Sequence, residues 1–150
     1  MDYTTQPLSF KVKKALRYIH LFGIKRTWIK VQGQYHMKRV YDSLPPLPTN
    51  PVSKAHVGIL GCGNFAFSNI AYYLKKNFGS VIHACMDIDV NKAASLFKTY
   101  HLNYYTCDAK KVIDDPAVDT VYIASNHASH AEYAIEALHV GKNVHIEKPH

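Results

Sequence analysis

A glycine-rich run at residues 61–66 is the first feature of this 150-residue chain that points to chemistry. It reads GCGNFA, which has the spacing Gly-x-Gly-x-x-Ala. In such a run the first glycine permits a tight turn, the second lets the backbone approach a pyrophosphate, and the small third residue lets a helix pack closely on a sheet. The free N–H groups at the start of that helix then bind phosphate. The predicted phosphate-loop contacts are Gly61, Gly63, Asn64, Phe65 and Ala66.

An acidic residue, Asp87, follows the next apolar stretch. A carboxylate at this distance from the glycine run accepts hydrogen bonds from both hydroxyls of an adenosine ribose and repels a 2′-phosphate. No arginine follows it, since the next residues are Ile88 and Asp89. The pattern therefore predicts NAD as the cofactor, with NADP disfavoured. The alternative is that Asp87 only caps the following helix, a position for which Asp89 is better placed.

These residues need strands and helices in alternation to position them, and the hydrophobic pattern predicts that arrangement. Apolar strands are predicted at 56–60, 81–86, 104–106, 120–124 and 143–146, and helices at 64–77, 91–100, 109–113 and 129–140. Strands separated by helices pair in parallel through right-handed crossovers. The predicted fold class is α/β, a Rossmann-type doubly wound parallel sheet that is incomplete at its C-terminus.

The N-terminal third differs from the rest in charge. Residues 1–54 hold ten of the 18 Lys and Arg residues but only two acidic residues, and the remainder of the chain is nearly neutral. Two amphipathic helices separated by Gly23 are predicted over 9–32, and four prolines within 44–51 indicate an extended linker. We therefore predict a basic helical extension (1–43), a proline-rich linker (44–55) and an α/β domain (56–150).

Three interpretations of the basic extension remain open. It is a solvated docking segment, or it contacts an anionic membrane surface through basic residues interleaved with Leu21, Phe22 and Trp28, or it binds nucleic acid. No nucleic-acid-binding motif accompanies the charge, so nucleic acid is not an expected partner. We expect no signal peptide, because Lys11, Lys13 and Lys14 interrupt any apolar run near the N-terminus. Cys62, Cys85 and Cys107 match no metal or disulfide spacing. We expect three buried free thiols and a cytoplasmic location.

The end of the chain adds a second signature. Residues 119–132 read DTVYIASNHASHAE and residues 141–149 read GKNVHIEKP. With the glycine run and Asp87, they resemble the glucose–fructose oxidoreductase, inositol dehydrogenase and rhizopine-catabolism (Gfo/Idh/MocA) family over residues 56–149. The resemblance implies the NAD(P)-binding domain of an oxidoreductase that transfers hydride between a nicotinamide and a sugar, polyol or nucleotide-sugar hydroxyl.

The resemblance also implies roles for residues near the end of the chain. Lys148 is the implied catalytic residue, which hydrogen-bonds the reacting oxygen and helps to move its proton, while Glu147 holds that lysine. Pro149 rigidifies the turn, and a cis Lys148–Pro149 bond is compatible with it. The residues implied to border the cofactor here are Ser125, Asn126, His127, His130, Glu147 and Lys148. No metal site is predicted, because the His127–His130 pair lacks a second pair with matching spacing.

In the family, a second α/β domain after Glu-Lys-Pro completes the substrate site, whereas this chain ends one residue after Pro149. The resemblance therefore implies a truncated chain that is inactive alone, with the substrate binding through the missing domain. A homo-oligomer of the full-length parent remains open. The alternative function is a non-catalytic nucleotide-binding fragment, or a module that the basic extension tethers to a membrane surface.

Overall fold

The computed structural model describes residues 5–148 and contains a five-stranded parallel sheet. Its strands are β1 (Val57–Leu60), β2 (Ile82–Met86), β3 (Tyr104–Thr106), β4 (Thr120–Ile123) and β5 (Asn143–Ile146). They lie in the order β3-β2-β1-β4-β5, so the chain reverses direction across the sheet between β1 and β4. This order confirms the predicted doubly wound α/β fold.

Helices cover both faces of the sheet. Helices α3 (Tyr72–Phe78) and α4 (Val90–Tyr100) lie on one face, and α5 (Ala109–Ile113) and α6 (His127–His139) lie on the other. Ile59 and Leu60 of β1 point to opposite faces and both are fully buried. A central strand covered on both sides must be apolar at every position, which is why β1 reads as an unbroken apolar run.

The helix that follows the glycine run differs from the prediction of one regular helix over 64–77. Its segment Ala66–Ala71 is a π-helix, and regular α-helix resumes only at α3. The Arg26 guanidinium donates hydrogen bonds to the carbonyl of Ser68 and to the side chain of Asn69 in this segment. Local propensity does not predict this π-helix, because Arg26, which donates hydrogen bonds to it, lies more than 40 positions earlier in the chain.

The N-terminal region forms the two predicted helices, α1 (Leu8–Phe22) and α2 (Ile24–His36), which are separated by Gly23. The proline-rich segment runs extended along the domain, where the Tyr105 hydroxyl donates to the Pro45 carbonyl at 2.9 Å. The division into extension, linker and domain remains a prediction. Within residues 5–148, none of the helices has the length and apolar character needed to cross a membrane.

Candidate cofactor-binding site

Four of the predicted site residues lie along one edge of the sheet, because each follows the carboxyl end of a parallel strand. In spatial order they are Asp87, Gly61, Ser125 and Glu147, which follow β2, β1, β4 and β5. With neighbouring strands about 4.8 Å apart, this row extends over about 14 Å. The strand order reverses between β1 and β4, and ligands of open α/β sheets bind in the crevice at that point.

Gly61 fixes the turn that begins the glycine run. Its φ is 93°, a left-handed conformation, and its N–H donates to the Met86 carbonyl at 2.7 Å. A Cβ on Gly61 would lie 2.5 Å from the backbone nitrogen of Ser125. Only glycine fits here, because the loops after β1 and β4 pack backbone against backbone.

Gly63, unlike Gly61, has no backbone packed against it. A Cβ added to Gly63 would meet no atom within 4 Å, so the space above it is open. The helix that begins at Asn64 exposes its first N–H groups beside this space, since such groups have no intrahelical partner. Ala66 is fully buried beneath, while Phe65 remains exposed. An open space next to N–H donors fits a pyrophosphate.

Asp87 is buried and connects the end of β2 to the glycine run. One carboxylate oxygen accepts the Cys62 N–H at 2.7 Å and the other accepts the Asp89 N–H at 2.9 Å. Each oxygen has a lone pair left for a further donor, as contact with ribose hydroxyls requires. The helix cap is Asp89, which accepts from the Asn91 N–H at 3.0 Å. The alternative of Asp87 as the cap of α4 is therefore wrong.

The start of α6 organises the loop after β4. Asn126 is the N-cap residue and accepts the Ser129 N–H at 3.2 Å. His130 is buried, and its Nε2 lies 3.0 Å from the Ser125 carbonyl oxygen. His127 is exposed, with its ring 5.2 Å from that of His130. Across residues 5–148, no three His, Cys, Asp or Glu side chains are grouped so as to hold a metal ion.

Glu147 and Lys148 follow β5 at the far end of the row. The Glu147 N–H donates to the Ile123 carbonyl at 2.9 Å, and its side chain lines a groove of about 280 Å³ with Phe65 and Tyr122. Successive side chains of an extended segment point to opposite sides. In the described part of the chain no ion pair joins Glu147 to the exposed Lys148, and the role of Glu147 in holding this lysine stays a prediction. Pro149 and the proposed cis bond lie outside the described residues.

The sequence reasoning missed the contribution of α2, which packs directly on the glycine run. The Nε2 of His36 lies 2.6 Å from the Cys62 carbonyl oxygen, and its ring stacks on Phe67 at 4.2 Å. Burial lowers the pKa of His36. Gly33 permits a close approach, because a Cβ there would lie 2.5 Å from Oδ1 of Asn64. This buried Oδ1 has no hydrogen-bond partner. Because His36 and Gly33 both approach the loop this closely, α2 forms part of the wall of the phosphate loop.

Polar residues of α2 also hold the π-helix. Arg26 is buried, and its guanidinium lies 5.0 and 5.1 Å from the rings of Tyr72 and Tyr73. Burial and the nearby Arg26 lower the pKa of Lys30, whose Nζ is 3.4 Å from the Ser68 hydroxyl. One side of α2 is therefore docked on the domain. The sequence did carry a signal for this burial of a polar helix side: three polar residues and a glycine recur at helical spacing, namely Arg26, Thr27, Lys30 and Gly33.

The three cysteines differ in exposure. Cys62 and Cys85 are buried, and burial raises the pKa of the Cys62 thiol well above its usual range. Cys107 is exposed, so the expectation of three buried thiols is wrong for this residue. Cys107 follows β3 at the edge of the sheet, where only one strand can cover it. All three are free thiols.

Comparison with known proteins connects this geometry to a family. The chain is 36% identical over 99 residues to oxidoreductase P35 of Formosa agariphila, covering 65% of this chain and 30% of that relative. It is 31% identical over 94 residues to inositol 2-dehydrogenase 2 of Saccharopolyspora erythraea, with 63% and 28% coverage. The chain thus spans about 30% of the length of these relatives.

Solved structures share the fold. The myo-inositol dehydrogenase of Lactobacillus casei, in complex with NAD(H) and myo-inositol, superposes with a TM-score of 0.54 at 26% identity, covering 63% of this chain and 28% of that one. A 3-ketoreductase of Actinomadura kijaniata, in complex with NADP and TDP-benzene, gives 0.58 at 25% identity, with 67% and 30% coverage.

The family profile described as "Oxidoreductase family, NAD-binding Rossmann fold" matches residues 55–150, which contain the glycine run, Asp87 and the whole sheet. The match begins beside β1 and leaves α1 and α2 outside it. The chain therefore belongs to the Gfo/Idh/MocA family of oxidoreductases and carries its NAD-binding Rossmann domain.

Proposed function

We propose that this chain is the NAD-binding part of an oxidoreductase that transfers a hydride between the cofactor and a hydroxyl of a sugar, polyol or nucleotide sugar. The observation that carries the proposal is the Asp87 carboxylate held against the Cys62 N–H, beside the open space above Gly63. This arrangement provides a ribose acceptor and a pyrophosphate site at the point where the strand order reverses. The polyol class is supported by the myo-inositol in one solved relative, and a nucleotide-linked substrate by the TDP-benzene in the other.

The residues proposed to hold the cofactor divide the edge of the sheet into two halves. The phosphate and ribose half consists of Gly61, Gly63, Asn64, Phe65, Ala66 and Asp87. The nicotinamide half consists of Ser125, Asn126, His127, His130, Glu147 and Lys148. Bound NAD supplies a hydride acceptor or donor. The Lys148 amino group is the proposed catalytic group: as the ammonium it donates a hydrogen bond and a proton to a carbonyl oxygen that is reduced, and as the free amine it accepts the proton of a hydroxyl that is oxidised. Its side chain is exposed at the end of β5 and is therefore accessible to a substrate.

Charge supports NAD in preference to NADP. A 2′-phosphate on the ribose would lie near the carboxylates of Asp87 and Asp89, and like charges at short range repel. The nearby cation Lys92 lies 3.5 Å from Asp89 and is paired with it. Ile88, between the two acids, offers no donor. No arginine therefore follows Asp87 in the loop to α4, where one would accommodate a 2′-phosphate.

Titration calorimetry of the 150-residue chain with NAD and with NADP tests this proposal. We expect NAD to bind at least about ten-fold more tightly, equivalent to about 1.4 kcal/mol. Asp87→Ser should weaken NAD binding and reduce the difference between the affinities for NAD and NADP. Asp108→Ser is the matched control, because Asp108 caps α5 after the neighbouring β3. Tighter NADP binding would contradict the assignment of Asp87, and no binding of either cofactor to the folded chain would contradict the site.

The catalytic role of Lys148 requires a chain that continues into a substrate domain, and we propose that residues 1–150 alone do not turn over. In a protein that carries both domains, Lys148→Ala should abolish the NAD-dependent absorbance change with polyol or sugar substrates. Lys76→Ala, at an exposed position of α3, is the control. Unchanged turnover in the Lys148 variant would remove its proton-transfer role, and NAD binding without turnover of any hydroxyl substrate would favour a non-catalytic module.

A further inference from the structure

Helix α2 is oriented with its polar side inward and its apolar side outward. Arg26, Gly33 and His36 face the domain and are buried. The opposite side carries Ile24 and Trp28, whose exposed fractions are 72% and 61%. Val31 and Tyr35 continue this exposed stripe at spacings of three and four residues. A docked helix normally buries its apolar stripe, so the exposed stripe of α2 is open to a partner.

Helix α1 extends the same apolar surface. None of its residues is buried, and Leu8 and Leu16 are 76% and 62% exposed, with Val12 between them. A groove of about 500 Å³, lined by Phe10, Tyr18 and Tyr35 among others, separates α1 from α2. We call the exposed stripes of both helices the hairpin apolar face; it consists of Leu8, Val12, Leu16, Ile24, Trp28, Val31 and Tyr35. A contiguous apolar surface of this kind marks an interaction site.

The charge around the hairpin apolar face restricts its partner. Residues 3–41 contain nine Lys or Arg residues and no Asp or Glu. Lys13, Arg17 and Lys25 are exposed and directly follow Val12, Leu16 and Ile24 in the sequence. Long basic side chains that flank apolar and aromatic residues can place their charges among lipid headgroups while the apolar side enters the acyl boundary. An anionic bilayer matches both the apolar character and the charge.

We propose that the hairpin apolar face lies on an anionic lipid bilayer and holds the dinucleotide-binding domain at that surface. The contact is interfacial, with both helices lying in the plane of the membrane. It is also rigid, because Arg26 and His36 attach α2 to the domain by hydrogen bonds. If the chain has the cytoplasmic location expected from the sequence, the partner is the anionic inner leaflet. The proposal is independent of hydride transfer and of cofactor preference.

Intrinsic fluorescence offers a direct test, since Trp28 is the chain's single tryptophan and lies within the hairpin apolar face. The chain is mixed with vesicles of phosphatidylcholine alone or with phosphatidylglycerol added. We expect a blue shift of Trp28 emission and co-flotation of protein with the anionic vesicles only. High salt should weaken the binding, because part of the attraction is between exposed charges.

Matched variants separate the apolar and electrostatic contributions. Ile24→Glu should reduce partitioning about ten-fold or more, whereas Leu138→Glu, at an exposed position of α6, should leave it unchanged. The double variant Lys13→Glu, Arg17→Glu should reduce partitioning onto anionic vesicles about 25-fold or more. Each basic residue at an anionic surface contributes about five-fold to the binding constant, and two are lost. Lys76→Glu is the charge control. Circular dichroism verifies that each variant is folded.

Three outcomes would overturn the proposal. The first is no vesicle binding at low salt, and the second is equal binding to neutral and anionic vesicles. The third is a dimer that Ile24→Glu dissociates, in a protein that does not bind vesicles, since this would assign the face to a second copy of the chain. NAD titration of the same samples keeps these results separate from the cofactor proposal, because Ile24 lies on the side of α2 away from the glycine run.

Discussion

Replacing Gly61 by alanine tests the backbone contact that shapes the phosphate loop. The φ of 93° costs an L-residue about 1–2 kcal/mol. The added Cβ would also lie 2.5 Å from the Ser125 nitrogen and 2.6 Å from the Ala124 carbonyl carbon. These are backbone atoms that cannot rotate away, and overpacking of this kind costs about 1–3 kcal/mol. Together the two effects should lower the free energy of unfolding by about 2–5 kcal/mol, or Tm by about 4–20 °C.

Thermal unfolding followed by circular dichroism measures this loss, and Gly63→Ala is the matched control. Since a Cβ on Gly63 meets nothing within 4 Å, that variant should unfold within about 0.5 kcal/mol of the parent. It should nevertheless bind NAD at least about ten-fold more weakly by titration calorimetry, because the methyl group occupies the space assigned to the pyrophosphate.

The same substitution should therefore have different effects at the two positions: Gly61→Ala lowers stability, and Gly63→Ala weakens NAD binding. A Gly61→Ala protein with the Tm of the parent would refute the argument from backbone contact. A Gly63→Ala protein with unchanged NAD affinity would refute the placement of the pyrophosphate, and a large loss of stability in that variant would show that the space above Gly63 is not open.

Three further predictions concern the rest of the molecule. Arg26→Met should cost about 1–3 kcal/mol in urea unfolding, because it removes the donor to the buried Ser68 carbonyl. Burial lowers the pKa of His36, so the stability conferred by its neutral form is complete above pH 6.5 and is lost as the pH falls; urea unfolding at several pH values should show this slope, and His36→Gln should flatten it. A thiol reagent should modify Cys107 alone in the native chain but three cysteines in urea, and rapid modification of a second native thiol would contradict the burial of the other two.

Local pattern was sufficient for most of the Rossmann domain. Each strand of the sheet was predicted within one or two residues, because a buried strand and its crossover helix carry different hydrophobic periods. The glycine run also identified its own turn, since a left-handed residue packed against another backbone has to be glycine. Asp89 was correctly preferred as a helix cap because capping depends only on adjacent residues.

Features that depend on distant partners were not predicted. Helix α2 was predicted only as an amphipathic helix of the N-terminal extension, and its burial of Arg26, Gly33 and His36 against the helix that follows the glycine run was not predicted. The π-helix and the exposure of Cys107 were missed for the same reason. The buried side of α2, the π-helix and the exposure of Cys107 all depend on which distant parts of the chain pack against these residues.

The sequence by itself determined the strands, the order of the elements and the turn of the glycine run, because periodicity, glycine geometry and capping are properties of neighbouring residues. Only the tertiary structure decided that α2 belongs to the wall of that loop and that its apolar side faces outward. An amphipathic helix has two usable sides, and the carbonyls of Cys62 and Ser68 selected the polar one by offering acceptors to His36 and Arg26. Which side a helix buries is therefore a property of the surface it meets.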